Sequence, residues 1–111
     1  MLNKFLYILR RNLNRSIEKN DIDINELKNK TMKGAILLDV RSPQEYNEGH
    51  LEGAILIPEY ELKNKCEYKL PDKEKTIIIY CSTGTRSKKA QRELEKMGYK
   101  NVYNLYNGIQ I

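Results

Sequence analysis

Cys81 stands directly after the run Ile77-Ile78-Ile79-Tyr80 and directly before Ser82-Thr83-Gly84-Thr85-Arg86. A thiol at the end of a β-branched strand, followed by small residues, one glycine and one arginine, has the parts for nucleophilic sulfur chemistry on an anionic substrate. A loop this small can curl until several backbone N–H groups point inward. Such a nest, aligned with the positive end of a following helix, binds anions and favours a thiolate. Arg86 adds a permanent charge and planar donors suited to an oxyanion. The competing role for Cys81 is structural, since unpaired cysteine is often simply buried; Gly84 and Arg86 beside it point to the reactive one.

The elements that must position this window alternate along the chain. Residues 76–80, the most β-branched run, read as a central strand. The helix after the loop is expected from Ser87 to Met97, with Ala90, Leu94 and Met97 on its apolar face, Lys88, Lys89, Arg92, Glu93, Glu95 and Lys96 toward solvent, and Gly98 as its cap. Upstream, residues 35–40 form a continuous apolar run of strand length, covered on both faces. Ser42, Pro43 and Glu45 spell a capping box with proline at the first helical position, and Gly49 ends that helix in a left-handed conformation. Residues 53–58 make a second short strand stopped by Pro58. Residues 59–68 have helical spacing in Tyr60, Leu62 and Cys66. Residues 21–30 read as a strand-like piece running into a short helix with Asn25 as its N-cap, and residues 101–106 as a last strand. Strands alternating with helices imply an α/β fold with a mostly parallel sheet.

Composition narrows the function classes. The chain has 111 residues, 40% apolar and 32% charged, which suffices for one compact core. No apolar run reaches the roughly 18 residues of a membrane span, and residues 1–16 lack the small-residue pattern of a secretory signal, so an intracellular, cytoplasmic protein is expected. Two cysteines make a poor disulfide framework and one histidine makes a poor zinc site. Residues 1–20 carry +4 of the net charge of +5, leaving the body nearly neutral. That distribution argues against nucleic acid as partner, which calls for a basic stripe across the folded face. Leu2, Phe5, Leu6, Leu9, Leu13 and Ile17 give residues 2–18 one apolar helical face. Packing on the domain is the favoured role for it, with a membrane surface or a protein partner as the alternatives.

Residues 37–58, "LLDVRSPQEYNEGHLEGAILIP", followed by residues 77–109, "IIIYCSTGTRSKKAQRELEKMGYKNVYNLYNGI", resemble the rhodanese domain of single-domain sulfurtransferases. The resemblance implies a rhodanese-like α/β domain over 21–111, with a central five-stranded parallel sheet flanked by helices and an extra N-terminal amphipathic helix over 1–20. It implies that Cys81 takes a sulfane sulfur from a small donor such as thiosulfate, holds it as a persulfide and passes it to cyanide or a thiol. The backbone of Ser82, Thr83, Gly84, Thr85 and Arg86 would cradle the outer sulfur, with Ser87 in a secondary role and no metal or organic cofactor. Four residues separate Cys81 from Arg86, the spacing of sulfurtransferases, whereas the phosphatases and arsenate reductases of the same fold have one more.

Asp39 and Arg41 match the family's acidic and basic pair. They are expected to pair with each other or with a neighbour, Arg41 with Glu45 for example, and a direct substrate role for Arg41 is less favoured. His50 and Cys66 read as structural. Leu56 and Asn107 depart from the family pattern, and the chain stops at Ile111 before the usual aromatic of the final helix. A non-catalytic sulfur-carrier or binding module is the alternative to an enzyme.

Overall fold

The computed structural model describes residues 17–109. Strands β1 (Asp21–Ile22), β2 (Ile36–Asp39), β3 (Ile55–Leu56), β4 (Thr76–Tyr80) and β5 (Asn101–Leu105) alternate with helices α1 (Ile24–Met32), α2 (Pro43–Glu48), α3 (Leu62–Lys69) and α4 (Thr85–Lys96). The strands form one sheet in the order β1-β5-β4-β2-β3, parallel throughout. This is the five-stranded parallel sheet flanked by helices that the sequence leads one to expect. The N-terminal helix expected over 2–18, and with it the unit 1–20, falls outside the described residues except for 17–20, of which Lys19 and Asn20 form a turn.

A parallel sheet needs helices on both faces, and the strand sequences show it: they are apolar without alternation because both sides are covered. In β4, Ile77 and Ile79 enter a core with Leu62, Cys66, Ala90 and Leu94 of α3 and α4, while Ile78 and Tyr80 enter the opposite core with Leu27 and Ala54. Cys81 continues the parity of Ile77 and Ile79, so the thiol emerges on the α4 side. The middle three residues of β4 are fully buried, each contributing about 1.5–3 kcal/mol through burial.

Several boundaries differ from expectation. α1 is capped by Asp23, not Asn25: the Asp23 side chain accepts from the Glu26 N–H at 2.9 Å while Glu26 reaches back to the Asp23 N–H. That reciprocal box satisfies two end groups where Asn25 could satisfy one. The strand expected over 53–58 shrinks to Ile55–Leu56, because Gly53 turns at φ 81° and only two residues meet β2. Pro58 leads into a 3-10 turn at Glu59–Glu61 before α3, leaving Tyr60 exposed while Leu62 and Cys66 are buried. Gly49 ends α2 at φ 155°, ψ 138°, outside the left-handed helical region. Gly98 does follow α4 with a positive φ of 97°. No described helix is long and apolar enough to cross a membrane.

Candidate active site

The turn from β4 into α4 is tighter than the sequence suggests. α4 begins at Thr85, two residues before the expected Ser87, and Gly84 is its N-cap at φ 91°. That left-handed conformation suits glycine and strains other residues. The first turn-closing bond runs from the Lys88 N–H to the Gly84 carbonyl at 3.1 Å, so the amides of Thr85, Arg86 and Ser87 precede the helical ladder and face its open end.

Cys81 Sγ sits at that end. It accepts from the Gly84 N–H at 3.1 Å and the Ser87 N–H at 3.4 Å, and it donates to Ser87 Oγ at 3.3 Å. Cys81 and Ser87 are both fully buried. Two amides donating to one sulfur, at a helix N-terminus, stabilise negative charge there. The loop is also held from behind. The Ile109 N–H donates to the Cys81 carbonyl at 2.9 Å, and Gly108, at φ 69°, packs so closely that a Cβ there would overlap the Ser82 carbonyl and the Thr83 nitrogen.

Ser82, Thr83 and Thr85 form the outer rim, with Thr83 and Thr85 exposed. Arg86 is turned to one side of the cradle. Its planar donors, expected to meet an oxyanion, bind Glu45: Nη1 donates to Oε1 at 2.7 Å and Nη2 to Oε2 at 2.9 Å. Ser82 Oγ donates to the same Oε2 at 3.0 Å, and the Ser42 N–H donates to Oε1 at 3.0 Å. The Arg86 guanidinium, with help from Ser42 and Ser82, holds the Glu45 carboxyl well below the usual carboxylate range. In return, the hydrogen bonds that Arg86 donates to Glu45 raise the Arg86 guanidinium. Glu45 is the residue that sequence reasoning missed in this role. Its place in the Ser42 capping box accounted for it fully, and the box uses only part of a carboxylate's acceptor capacity.

Asp39 and Arg41 pair with each other, and the suggested Arg41–Glu45 contact does not form. Arg41 Nη2 lies 2.7 Å from Asp39 Oδ2, and the Arg41 N–H and Nε also donate to the carboxylate. Both residues are buried. Arg41 Nη2 additionally donates to the Gly49 carbonyl at 2.7 Å, and its guanidinium carbon lies 5.6 Å from the Tyr80 ring centroid. Asp39 therefore holds Arg41 in place, and Arg41 reaches the C-terminal end of α2 through the Gly49 carbonyl, on the sheet face opposite Cys81. The pair sets where α2 lies, and α2 carries Glu45 to Arg86.

His50 stacks on Tyr46 at 3.6 Å between ring centroids, and its Nδ1 is 2.8 Å from the Tyr46 carbonyl. Cys66 is buried against Met97, with its sulfur 3.5 Å from the thioether. Burial, then the neighbouring Cys66, pushes the Tyr99 phenol up to about 12. Lys88, expected to face solvent, is instead drawn inward to Asp21 at 2.5 Å. Among the described residues no group of three or more His, Cys, Asp or Glu side chains could hold a metal ion.

The profile of the rhodanese-like domain matches residues 23–110. Among curated proteins, the thiosulfate sulfurtransferase PspE of Escherichia coli K12 is 42% identical over 67 residues, which is 60% of this chain and 64% of PspE. The tRNA uridine(34) hydroxylase of Yersinia pestis (strain Pestoides F) is 36% identical over 78 residues, 67% of this chain but 22% of the hydroxylase. The chain thus spans less than two thirds of each. Among solved structures, the human single-domain sulfurtransferase TSTD1 superposes with a TM-score of 0.72 at 27% identity, covering 84% of this chain and 93% of TSTD1. An anion-containing rhodanese from E. coli gives 0.63 at 38% identity, covering 66% and 86%.

Proposed function

The chain belongs to the rhodanese-like domain family, and on that premise we propose that it is a sulfurtransferase working through a persulfide on Cys81. The sulfane sulfur comes from thiosulfate or a persulfide donor and leaves on cyanide or a thiol. One observation carries the reading: the Gly84 and Ser87 amides and the Ser87 hydroxyl converge on Cys81 Sγ at the N-terminus of α4. The likeness to PspE and TSTD1 points the same way.

The chemistry follows from the geometry. The Cys81 thiolate attacks the outer sulfur of thiosulfate; the new S–S bond forms as the old one breaks, and sulfite leaves with the electron pair. The buried cradle holds the transferred sulfur with fixed dipoles that need no rearrangement. An acceptor then attacks that outer sulfur and returns the electron pair to Sγ. No step removes a proton from a neutral thiol once Cys81 is ionised, so His50, stacked on Tyr46, has no assigned part. Arg86, engaged by Glu45, acts by holding the Ser82 side of the loop in place.

The relatives that are tRNA uridine(34) hydroxylases favour keeping a second reading, a carrier or binding domain, since this same fold occurs within proteins of another activity. Mass spectrometry of the protein after thiosulfate treatment separates the two: a gain of about 32 Da on Cys81, one sulfur atom, is expected. Thiocyanate release from thiosulfate and cyanide should accompany it. Phosphate release from an aryl phosphate with no thiocyanate would replace this reading with a phosphatase, and silence in both assays with the binding domain.

A further inference from the structure

The two residues whose amides reach the Cys81 sulfur, Gly84 and Ser87, are both bonded to Lys88. Ser87 precedes it in the chain, and the Gly84 carbonyl accepts from the Lys88 N–H at 3.1 Å. Any movement of Lys88 is therefore passed to both donors. No side chain caps this end of α4, since its N-cap is Gly84, so groups outside the helix have to fix the orientation of its first turn.

The Lys88 side chain supplies such a hold. It is 17% exposed, and its Nζ lies 2.5 Å from Oδ1 of Asp21, whose side chain is 2% exposed. Asp21 is itself fixed: Oδ2 accepts from the Glu18 N–H at 2.8 Å, Oδ1 accepts from Asn104 Nδ2 at 3.3 Å, and its backbone pairs with Asn104 of β5. An ion pair this sheltered is screened little by solvent, and removing one partner leaves the other charge uncompensated. The next residue gives the contrast. Lys89 meets Glu59 at 3.1 Å but is 79% exposed, an ordinary surface pair that contributes little. Two lysines adjacent in sequence thus make two unlike pairs, and only the first ties α4 to the sheet.

We propose that Lys88 is a positioning residue for Cys81: seated on Asp21, its side chain holds the Gly84 and Ser87 amides on the sulfur and so keeps the thiol reactive. Lys88 acts through the two amides rather than on the sulfur directly. Granted the sulfurtransferase reading above, the same hold sustains turnover.

The test follows the rate of Cys81 alkylation by iodoacetamide, read by mass spectrometry, beside thiocyanate formation and melting temperature, in the full chain and well below every melt. Lys88→Met should slow alkylation and turnover by about tenfold, the weakening of one hydrogen bond to a charged acceptor. Lys88→Arg, which keeps the charge and the reach, should restore most of both rates. Lys89→Met, which removes the same charge one residue away, should leave them at the parental level. Asp21→Asn should slow alkylation too, and in that background Lys88→Met should add nothing, because the pair acts as one unit. Parental or faster alkylation in Lys88→Met overturns the proposal even if melting falls, and Asp21→Asn decides in the same way should Lys88→Met fail to fold. An equal loss in Lys89→Met, the mark of a net-charge effect, overturns it as well, as do additive losses at Lys88 and Asp21. Alkylation needs no sulfur donor. The expected losses of alkylation in proteins that make no thiocyanate therefore refute the transferase reading alone, while thiocyanate formation with parental alkylation in every variant refutes the positioning role alone.

Discussion

Glu45→Gln tests whether the cradle is held from α2. The carboxylate accepts four hydrogen bonds: two from Arg86, one from Ser82 Oγ and one from the Ser42 N–H. Glutamine keeps one acceptor oxygen, enough for either the capping box or Arg86, and turns an NH₂ toward a guanidinium that is itself all donor. The Glu45 and Arg86 side chains are 32% and 38% exposed, so solvent screening limits the ion pair to about 1 kcal/mol. A weakened cap adds up to about 1 kcal/mol. The variant should therefore lose about 1–2 kcal/mol of stability, or roughly 5–15 °C in melting temperature for a domain of this size.

Turnover should fall further than stability suggests. Displacing a cradle by about an ångström costs on the order of a hundredfold, and the loss should be similar for thiosulfate and for a persulfide donor, because Arg86 holds the loop rather than the donor.

The pH dependence supplies an independent check. A carboxyl held low in the folded state stabilises fully above its ordinary value of 4.5, and that contribution is lost as pH falls toward the folded-state value. The stability gap between parent and variant should be constant from about pH 7 to pH 5 and narrow below about 4.5. Unchanged melting with parental turnover would refute the positioning role. So would a selective gain with thiosulfate, which would mean that Glu45 masks Arg86 from the donor.

Cys81→Ser should abolish thiocyanate formation while leaving the fold intact, since the hydroxyl neither ionises near neutrality nor forms a persulfide; residual turnover would move the nucleophile elsewhere. Iodoacetamide should label Cys81 ahead of Cys66, because both thiols are buried but only Cys81 accepts backbone N–H bonds at a helix N-terminus, and equal rates would contradict the assignment. Gly108→Ala should cost more than about 2 kcal/mol and disturb turnover together with melting, because its Cβ would overlap the loop backbone and φ is 69°; a normal melt would refute that close approach. Deleting residues 1–16 should lower the melting temperature and spare turnover if their apolar face packs on the domain. Unchanged melting with loss of binding to anionic vesicles would favour the membrane alternative instead.

The fold was legible because its signals are local and redundant. The unalternated run in β4 and the Ser42-Pro43-Glu45 start of α2 each follow from short-range chemistry, and they appear in the structure at the expected places. Boundaries set by competition were less legible. Asn25 and Asp23 are both good caps, and only the reciprocal bond from Glu26 decides between them. Thr85 opens α4 because Gly84 takes up the left-handed turn, which no periodicity in the helix itself records.

The site divides in the same way. The thiol, the glycine and the arginine sit in one window of sequence, and the structure keeps them within one turn. The partners of that window come from far along the chain. Glu45 is 41 residues from Arg86, and Lys88 turns inward because β1, at the far edge of the sheet, brings Asp21 beneath it. A charged residue in an amphipathic helix reads as solvent-facing until a counter-charge from another element is placed opposite it, and sequence periodicity carries no information about that element. In this chain both such pairs flank the cradle, Glu45–Arg86 on one side and Asp21–Lys88 on the other. The first turns of α4 are thereby pinned to α2 and to β1, and the amides that meet the Cys81 sulfur are held by parts of the chain far from it in sequence.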